Sequence, residues 1–106
     1  MSTTSGNPDT IVDMEDAYSF ESTERFHSWS ERHADVTWKE ATIDRDYGLK
    51  LYSTDGRYVL HFHCAVCGYT GTGPTASAEI LSAAGFGSEG GLYMVIGTQQ
   101  QCRFER

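Results

Sequence analysis

Two groups of residues whose types suggest chemistry lie in one stretch of this chain, between Tyr58 and Phe86. The first is the run HFHCAVCG, which contains His61, His63 and a C-x-x-C pair. The second is the run GYTGTGPTA, which contains three glycines and three threonines. Imidazoles and thiolates bind metals, whereas glycine-rich loops that lead into a helix present backbone N–H groups to anions. The two runs therefore predict two different kinds of site.

The histidine and cysteine run predicts an incomplete metal site. His61 and His63 lie on one face of a predicted strand, but strand alternation places Cys64 on the opposite, core-facing side, where we expect a small buried hydrophobic residue. A closed zinc site needs four ligands, and the sequence has no second C-x-x-C, C-x-x-H or H-x-x-x-H pair. A small metal-binding domain using His61, His63 and Cys67 therefore remains only the third hypothesis, and we expect no cofactor.

The glycine-rich run is the better candidate for a binding site. Residues 71–76 fit the pattern G-x-G-x-x-A, but there is no βαβ unit, no acid about 20 residues further on and no P-loop lysine, so Rossmann and P-loop folds are excluded. A generic phosphate or carboxylate site remains, with Tyr69 placed to stack on a base. The alternative is a plain strand-to-helix turn that needs no ligand, with Gly73 as the helix cap and Pro74 at the first helical position. The predicted ligand-binding residues are Tyr69, Thr70, Gly71, Thr72, Gly73, Thr75, Ser77, His61, His63, Arg57 and Arg103, with Arg106 as a further charge partner.

The elements that must position these residues follow from periodicity and turn signals. Within the apolar pattern of residues 11–33, a helix capped by Ser22 or Thr23 is predicted through Glu24 to His33, with a short extended piece at residues 18–20 as the alternative for that segment. Strands are predicted over 36–43, 49–53 and 57–66 with a hairpin turn at Thr54-Asp55-Gly56, and a helix from Pro74 to a Schellman ending at Gly85. Further strands are predicted at 92–96 and 101–105. The expected fold is a small single α+β domain with an antiparallel sheet of about four to five strands and two helices, in the order α-β-β-β-α-β-β.

Composition limits the possible functions. The chain has 106 residues and a net charge of −7, and residues 1–40 hold nine of its fifteen acids. Such a charge disfavours direct binding to a nucleic-acid backbone. No apolar run is long enough to span a membrane, and the first residues do not resemble a signal peptide, so we expect a cytoplasmic protein with reduced thiols. Residues 1–10 are expected to form a disordered tail, and residues 11–106 a single domain.

The first functional hypothesis is a non-enzymatic module that binds a small phosphate-bearing ligand, expected to be a nucleotide. By analogy of size, such a protein would sequester a signal molecule as a viral counter-defence protein. The second hypothesis is an acidic inhibitor or protein-interaction protein that uses residues 13–40. Catalysis is not favoured, because neither a Ser-His-Asp spacing nor a paired-carboxylate motif is present. Exposed sheet edges predict a homo-oligomer.

Overall fold

The computed structural model describes residues 10–69 and 71–106 and confirms the α+β class. Its described residues form five strands and three helices: β1 Thr10–Asp13, α1 Ser19–Arg32, β2 Trp38–Asp44, β3 Gly48–Ser53, β4 Tyr58–Phe62, α2 Thr72–Ala83, α3 Glu89–Ile96 and β5 Gln101–Glu105. Of the predicted tail at residues 1–10, only Thr10 is described, and it begins β1. None of the described helices has the length and apolar content needed to cross a bilayer.

The five strands form one mixed sheet in the order β1-β4-β3-β2-β5. Strands β2, β3 and β4 form the predicted antiparallel meander, and the turn between β3 and β4 is the predicted Thr54-Asp55-Gly56 hairpin. Strand β5 pairs antiparallel with β2. Strand β1 pairs parallel with β4, so the sheet is not purely antiparallel as predicted. The two outer strands of the sheet are therefore β1 and β5.

The core lies on one face of the sheet. Strand alternation directs to this face the side chains of Ala41, Ile43, Leu49, Leu51, Leu60 and Phe62, all of them buried. The helices add Phe26, Trp29, Ile80, Leu81, Leu92 and Ile96 to the same cluster. The opposite face carries polar side chains, including Lys50 and Arg103, which are exposed. Helices therefore cover one side of the sheet, as in other α+β folds.

The predicted first helix is confirmed as α1, although it begins at Ser19, five residues before the predicted Glu24. Strand β1 was not predicted, and residues 10–13 form it because each of them pairs with a residue of β4. Residues 92–96 were expected as a strand but belong to α3, where Leu92 and Ile96 are buried one turn apart. The hydroxyl of Ser88 caps that helix by accepting the N–H of Gly91. Short apolar runs do not distinguish strand from helix by period alone.

Strand β4 ends at Phe62, four residues earlier than predicted. The chain bends at His63 and Cys64, because both of their backbone N–H groups donate to the carboxylate of Asp16. Strand alternation therefore does not extend to the cysteines. Cys64 is only half-buried at the surface, whereas Cys67 is fully buried, which is the reverse of the expected arrangement.

Helix α2 begins at Thr72, two residues before the predicted start, with Gly71 rather than Gly73 at the N-cap. Its other end is the predicted Schellman motif. The N–H of Gly85 donates to the carbonyl of Ser82, and the N–H of Phe86 donates to that of Leu81. Gly85 has a φ of +95°, in the left-handed region that this motif requires.

Candidate functional site

A surface cleft of about 810 Å³ lies between the start of α1, the β2–β3 turn, the bend after β4 and the first half of α2. Its lining residues come from segments that are distant in sequence: 17–23, 45–46, 63–69 and 72–79. It thus contains part of the predicted glycine-rich loop. A cleft of this volume is within the range that small-molecule ligands occupy.

The starts of two helices meet at this cleft. Ser19, the first residue of α1, donates its hydroxyl to that of Thr72, the first residue of α2, at 3.2 Å. The first N–H groups of a helix have no acceptor within it, and they give that end a partial positive charge. At α1 the carboxylate of Glu21 offsets this charge by accepting the N–H groups of Ala17 and Tyr18. The first turn of α2 contains no acid, so its start is the stronger anion-attracting end.

Exposed aromatic rings lie beside the helix starts. Tyr18 and Phe20 are 63% and 62% exposed, and their rings stack at a centroid distance of 5.8 Å. Tyr69 is exposed on the loop that precedes α2. A Cβ on Gly73 would lie 2.6 Å from the Tyr69 hydroxyl and 2.5 Å from Val66 Cγ2. This glycine is therefore required by the packing of its neighbours, whether or not a ligand binds.

The charged groups of the cleft are Arg45, Asp46 and Glu79. Arg45 follows β2, and its side chain packs over Gly68, where an added Cβ would lie 3.0 Å from Arg45 Cδ. One guanidinium and two carboxylates give these three groups a net formal charge of −1. The cleft therefore combines a local anion-attracting wall with acceptors for hydroxyl or amino groups.

Asp16 holds the bend that forms one side of the cleft. Its buried carboxylate accepts the N–H of His63 at 2.8 Å, the N–H of Cys64 at 2.9 Å and the hydroxyl of Ser22. Burial alone would raise the pKa of Asp16, but these hydrogen bonds outweigh burial and hold the pKa below its usual value. The ring of His63 lies against the neighbouring Asp13, with Nε2 2.7 Å from Oδ1.

The cysteine thiols are poor nucleophiles. Burial and the nearby charges of Asp16 and Glu21 raise the pKa of Cys64. Burial, together with the neighbouring Cys102, raises the pKa of Cys67 to about 12. Since the thiolate is the reactive form, neither side chain is activated at neutral pH.

The two candidate histidine ligands lie side by side, but the third candidate, Cys67, does not join them. His61 Nε2 lies 2.8 Å from the carbonyl oxygen of Tyr47, and its ring centroid lies 4.4 Å from that of His63. Cys67 is buried, with its sulfur directed at the carbonyl of Gln100. Within residues 10–69 and 71–106, no three side chains of metal-binding type form a group that could hold an ion.

Some of the predicted ligand-binding residues share the cleft. Tyr69, Thr72, Thr75 and His63 line it. Gly71 caps α2, and its carbonyl accepts both the N–H and the hydroxyl of Thr75. Thr70 lies outside the described residues.

The other predicted residues lie elsewhere. Ser77 is buried and donates to the carbonyl of Val66. Arg57 pairs with Asp55 in the hairpin. His61 lies on the open sheet face with Arg103, which pairs with Glu40. Arg106 donates to two backbone carbonyls, those of Trp38 and Ala84.

Sequence reasoning missed Tyr18, Ser19, Phe20, Arg45, Asp46 and Glu79 as cleft residues. The aromatic pair Tyr18 and Phe20 was a signal, because two large rings flank the first residue of a helix. Arg45 gave none, because it lies in an ordinary polar turn and only the tertiary fold brings it to Gly68.

Comparison of the chain with protein-family models, with curated proteins and with solved structures gives no match. The candidate function therefore follows from the geometry of the cleft alone.

Proposed function

We propose that this protein is a non-enzymatic binding module that holds a small phosphate-bearing ligand of the nucleotide class in the cleft. The observation that carries the proposal is the meeting of the starts of α1 and α2, joined through the hydroxyls of Ser19 and Thr72. Pro74 has no N–H, and the N–H of Thr75 donates to the carbonyl of Gly71, so a phosphate at this wall would accept hydrogen bonds from the N–H groups of Thr72 and Gly73 and from the hydroxyls. Arg45, on the same cleft, supplies a charge-assisted donor.

The remaining lining supports a ligand that also carries a ring and hydroxyl groups. The exposed faces of Tyr18, Phe20 and Tyr69 would stack on a base, a contact worth about 1–3 kcal/mol per base in nucleic-acid complexes. Asp46 and Glu79 are acceptors for ribose hydroxyls or amino groups. Because these two carboxylates outnumber the single guanidinium, the cleft favours a ligand with one phosphate over a triphosphate.

Binding without reaction is supported by the state of the reactive groups. The raised pKa values of Cys64 and Cys67 oppose a thiolate nucleophile. A binder of this size that does not transform its ligand would act by sequestration. Withholding a signal nucleotide from its receptor, as a viral counter-defence protein would do, is the biological role that we infer by analogy.

The acidic-inhibitor hypothesis receives less support. Of the acids expected to form its surface, Asp16 is buried, Asp13 contacts His63, and Glu21 accepts two backbone N–H groups. These carboxylates are engaged within the chain, so they are less free to imitate the phosphates of a nucleic acid.

The proposal is tested by thermal shift and then calorimetry with nucleoside monophosphates, cyclic mono- and dinucleotides, the parent nucleosides and inorganic phosphate. A ligand at 100 times its dissociation constant should stabilise the fold by about 2.7 kcal/mol. The parent nucleosides, which lack the phosphate, should bind more weakly than the corresponding monophosphates. The absence of binding across the panel would exclude the nucleotide class.

Thr72→Asp is the decisive variant. An acid in the first turn favours the helix but repels a phosphate, so the fold should remain stable while binding is lost. Thr72→Asn, of nearly the same shape and without charge, is the matched control and should retain most of the affinity. Arg103→Ala, on the open sheet face, should have no effect. Equal affinities for the Asp and Asn variants would show that the ligand's phosphate does not bind at the start of α2.

A further inference from the structure

Strand β5 ends the sheet, and one of its edges is free of any other described strand. The N–H of Arg106 donates to the carbonyl of Lys39, and the N–H of Arg45 donates to that of Gln100. In an antiparallel pair, residues that bond to the partner alternate with residues whose N–H and C=O groups point away. The even-numbered residues 100–106 therefore bond to β2, and Gln101, Arg103 and Glu105 direct their backbone groups to the free edge.

The charges on this edge fit a second copy of the same strand in one register. If two β5 strands pair antiparallel about a two-fold axis at Phe104, each Arg103 lies opposite Glu105 of the partner subunit. Those two residues direct their backbone groups outward, so four interchain hydrogen bonds can form. Moving the axis to Arg103 would place two arginines opposite each other, which is unfavourable. Complementary charge therefore selects the axis at Phe104.

The surroundings of this edge also suit self-association. Helix α3, which precedes β5 in the chain, packs on α2 and contacts β5, and it leaves Met94 74% exposed and Val95 45% exposed. Phe104 is only partly buried. Residues 89–106 hold two acids and two bases, so this end is neutral although the chain carries −7. Apolar side chains next to an unpaired strand are typical of a protein interface.

We propose that two copies of this chain associate through the free edges of β5, with Arg103 of each copy opposite Glu105 of the partner subunit. The two five-stranded sheets join into one continuous sheet. The two copies of α3 flank the axis, where Met94 and Val95 become covered. The interface does not involve the cleft, so association and ligand binding are separate properties.

Analytical ultracentrifugation of the full chain over a range of concentrations tests the proposal. The expected result is a reversible dimer with twice the 11.8 kDa mass of one chain. Arg103→Glu and Glu105→Arg, made singly, each place like charges opposite each other and should weaken association roughly tenfold or more. The double exchange restores opposite charges and should recover the dimer. The double exchange also keeps one base next to Glu40 of the same chain. In the wild type Glu40 contacts Arg103 and lies opposite Glu105 in the β2–β5 register, so the exchange moves the base to position 105.

Two further variants separate the edge from other surfaces. Arg103→Pro removes an N–H that points to the free edge but none that bonds to β2, so it should give a folded monomer. Lys50→Glu, a charge reversal on the same sheet face but away from the edge, should leave the dimer unchanged. A wild-type chain that is monomeric at every soluble concentration would overturn the proposal. A dimer that the double exchange fails to recover, or that Arg103→Pro leaves intact, would also overturn it.

Discussion

Replacement of Gly48 by alanine should strongly destabilise the fold. Gly48 begins β3, has a φ of +90° and faces the end of β4. A Cβ there would lie 2.0 Å from the carbonyl oxygen of Phe62 and 3.2 Å from the Cα of His63. Both are backbone atoms, so no side-chain rotation can relieve the overlap. Gly56 is a matched control, because it has a φ of +79° but no atom within 4 Å of its added Cβ.

The difference in stability between the two variants isolates the cost of the steric overlap at position 48. A left-handed conformation costs an alanine about 1–2 kcal/mol at either position. Only at Gly48 must β3 and β4 also separate, and overpacking of this kind costs about 1–3 kcal/mol more. We therefore expect Gly56→Ala to lower the free energy of unfolding by about 1 kcal/mol and Gly48→Ala by about 3 kcal/mol. A difference of about 2 kcal/mol is roughly a 30-fold change in the unfolding equilibrium.

Urea denaturation followed by tryptophan fluorescence measures both values, since Trp29 and Trp38 are buried in the core. The slope of the transition must stay the same for the free energies to be comparable. If the two variants lose equal stability, the close approach of β3 to Phe62 is refuted, and with it the packing that leads β4 into the bend at His63.

Two further predictions concern titratable groups. Because the folded state lowers the pKa of Asp16, its contribution to stability is present above the unfolded value of about 3.9 and is lost as the pH falls through the folded value. Asp16→Asn should therefore be less stable at pH 7 and should lose less stability on acidification, as measured by urea unfolding across that pH range; parallel profiles would contradict this role. Cys67 has a pKa of about 12 and no exposure, so it should resist iodoacetamide at pH 8 in the native protein, as should the buried Cys102. Cys64 is half-buried and should react slowly, and unfolding in urea should make all three thiols reactive. Mass spectrometry checks this order, and rapid native labelling of Cys67 would contradict it.

The local parts of the fold were predictable from the sequence. The hairpin at Asp55-Gly56 and the Schellman ending at Gly85 depend on residues that are neighbours in the chain. Strand β1 was not predictable, because Ile11 and Val12 become a strand only by pairing with β4, more than forty residues away.

The site was predictable only in part, for the same physical reason. Thr72 and Thr75 belong to a glycine-rich run that leads into a helix, which is a local signal. Ser19, the partner of Thr72, lies 53 residues earlier, and the hydroxyl contact between the two helix starts exists only in the folded chain. The bend at Cys64 likewise depends on Asp16, which is 48 residues away.

The carboxylate of Asp16 holds the bend through the backbone N–H groups of His63 and Cys64, and the Cys64 thiol adds only a weak hydrogen bond to the Asp16 carbonyl oxygen at 3.5 Å. Any residue other than proline supplies the same N–H, so the frame of the cleft does not depend on which side chains stand at these two positions. Substitution there can change what the cleft recognises while its walls stay in place. The backbone that shapes the cleft is thus separate from the side chains at positions 63 and 64. These two positions are therefore the natural starting points for engineering a new ligand preference.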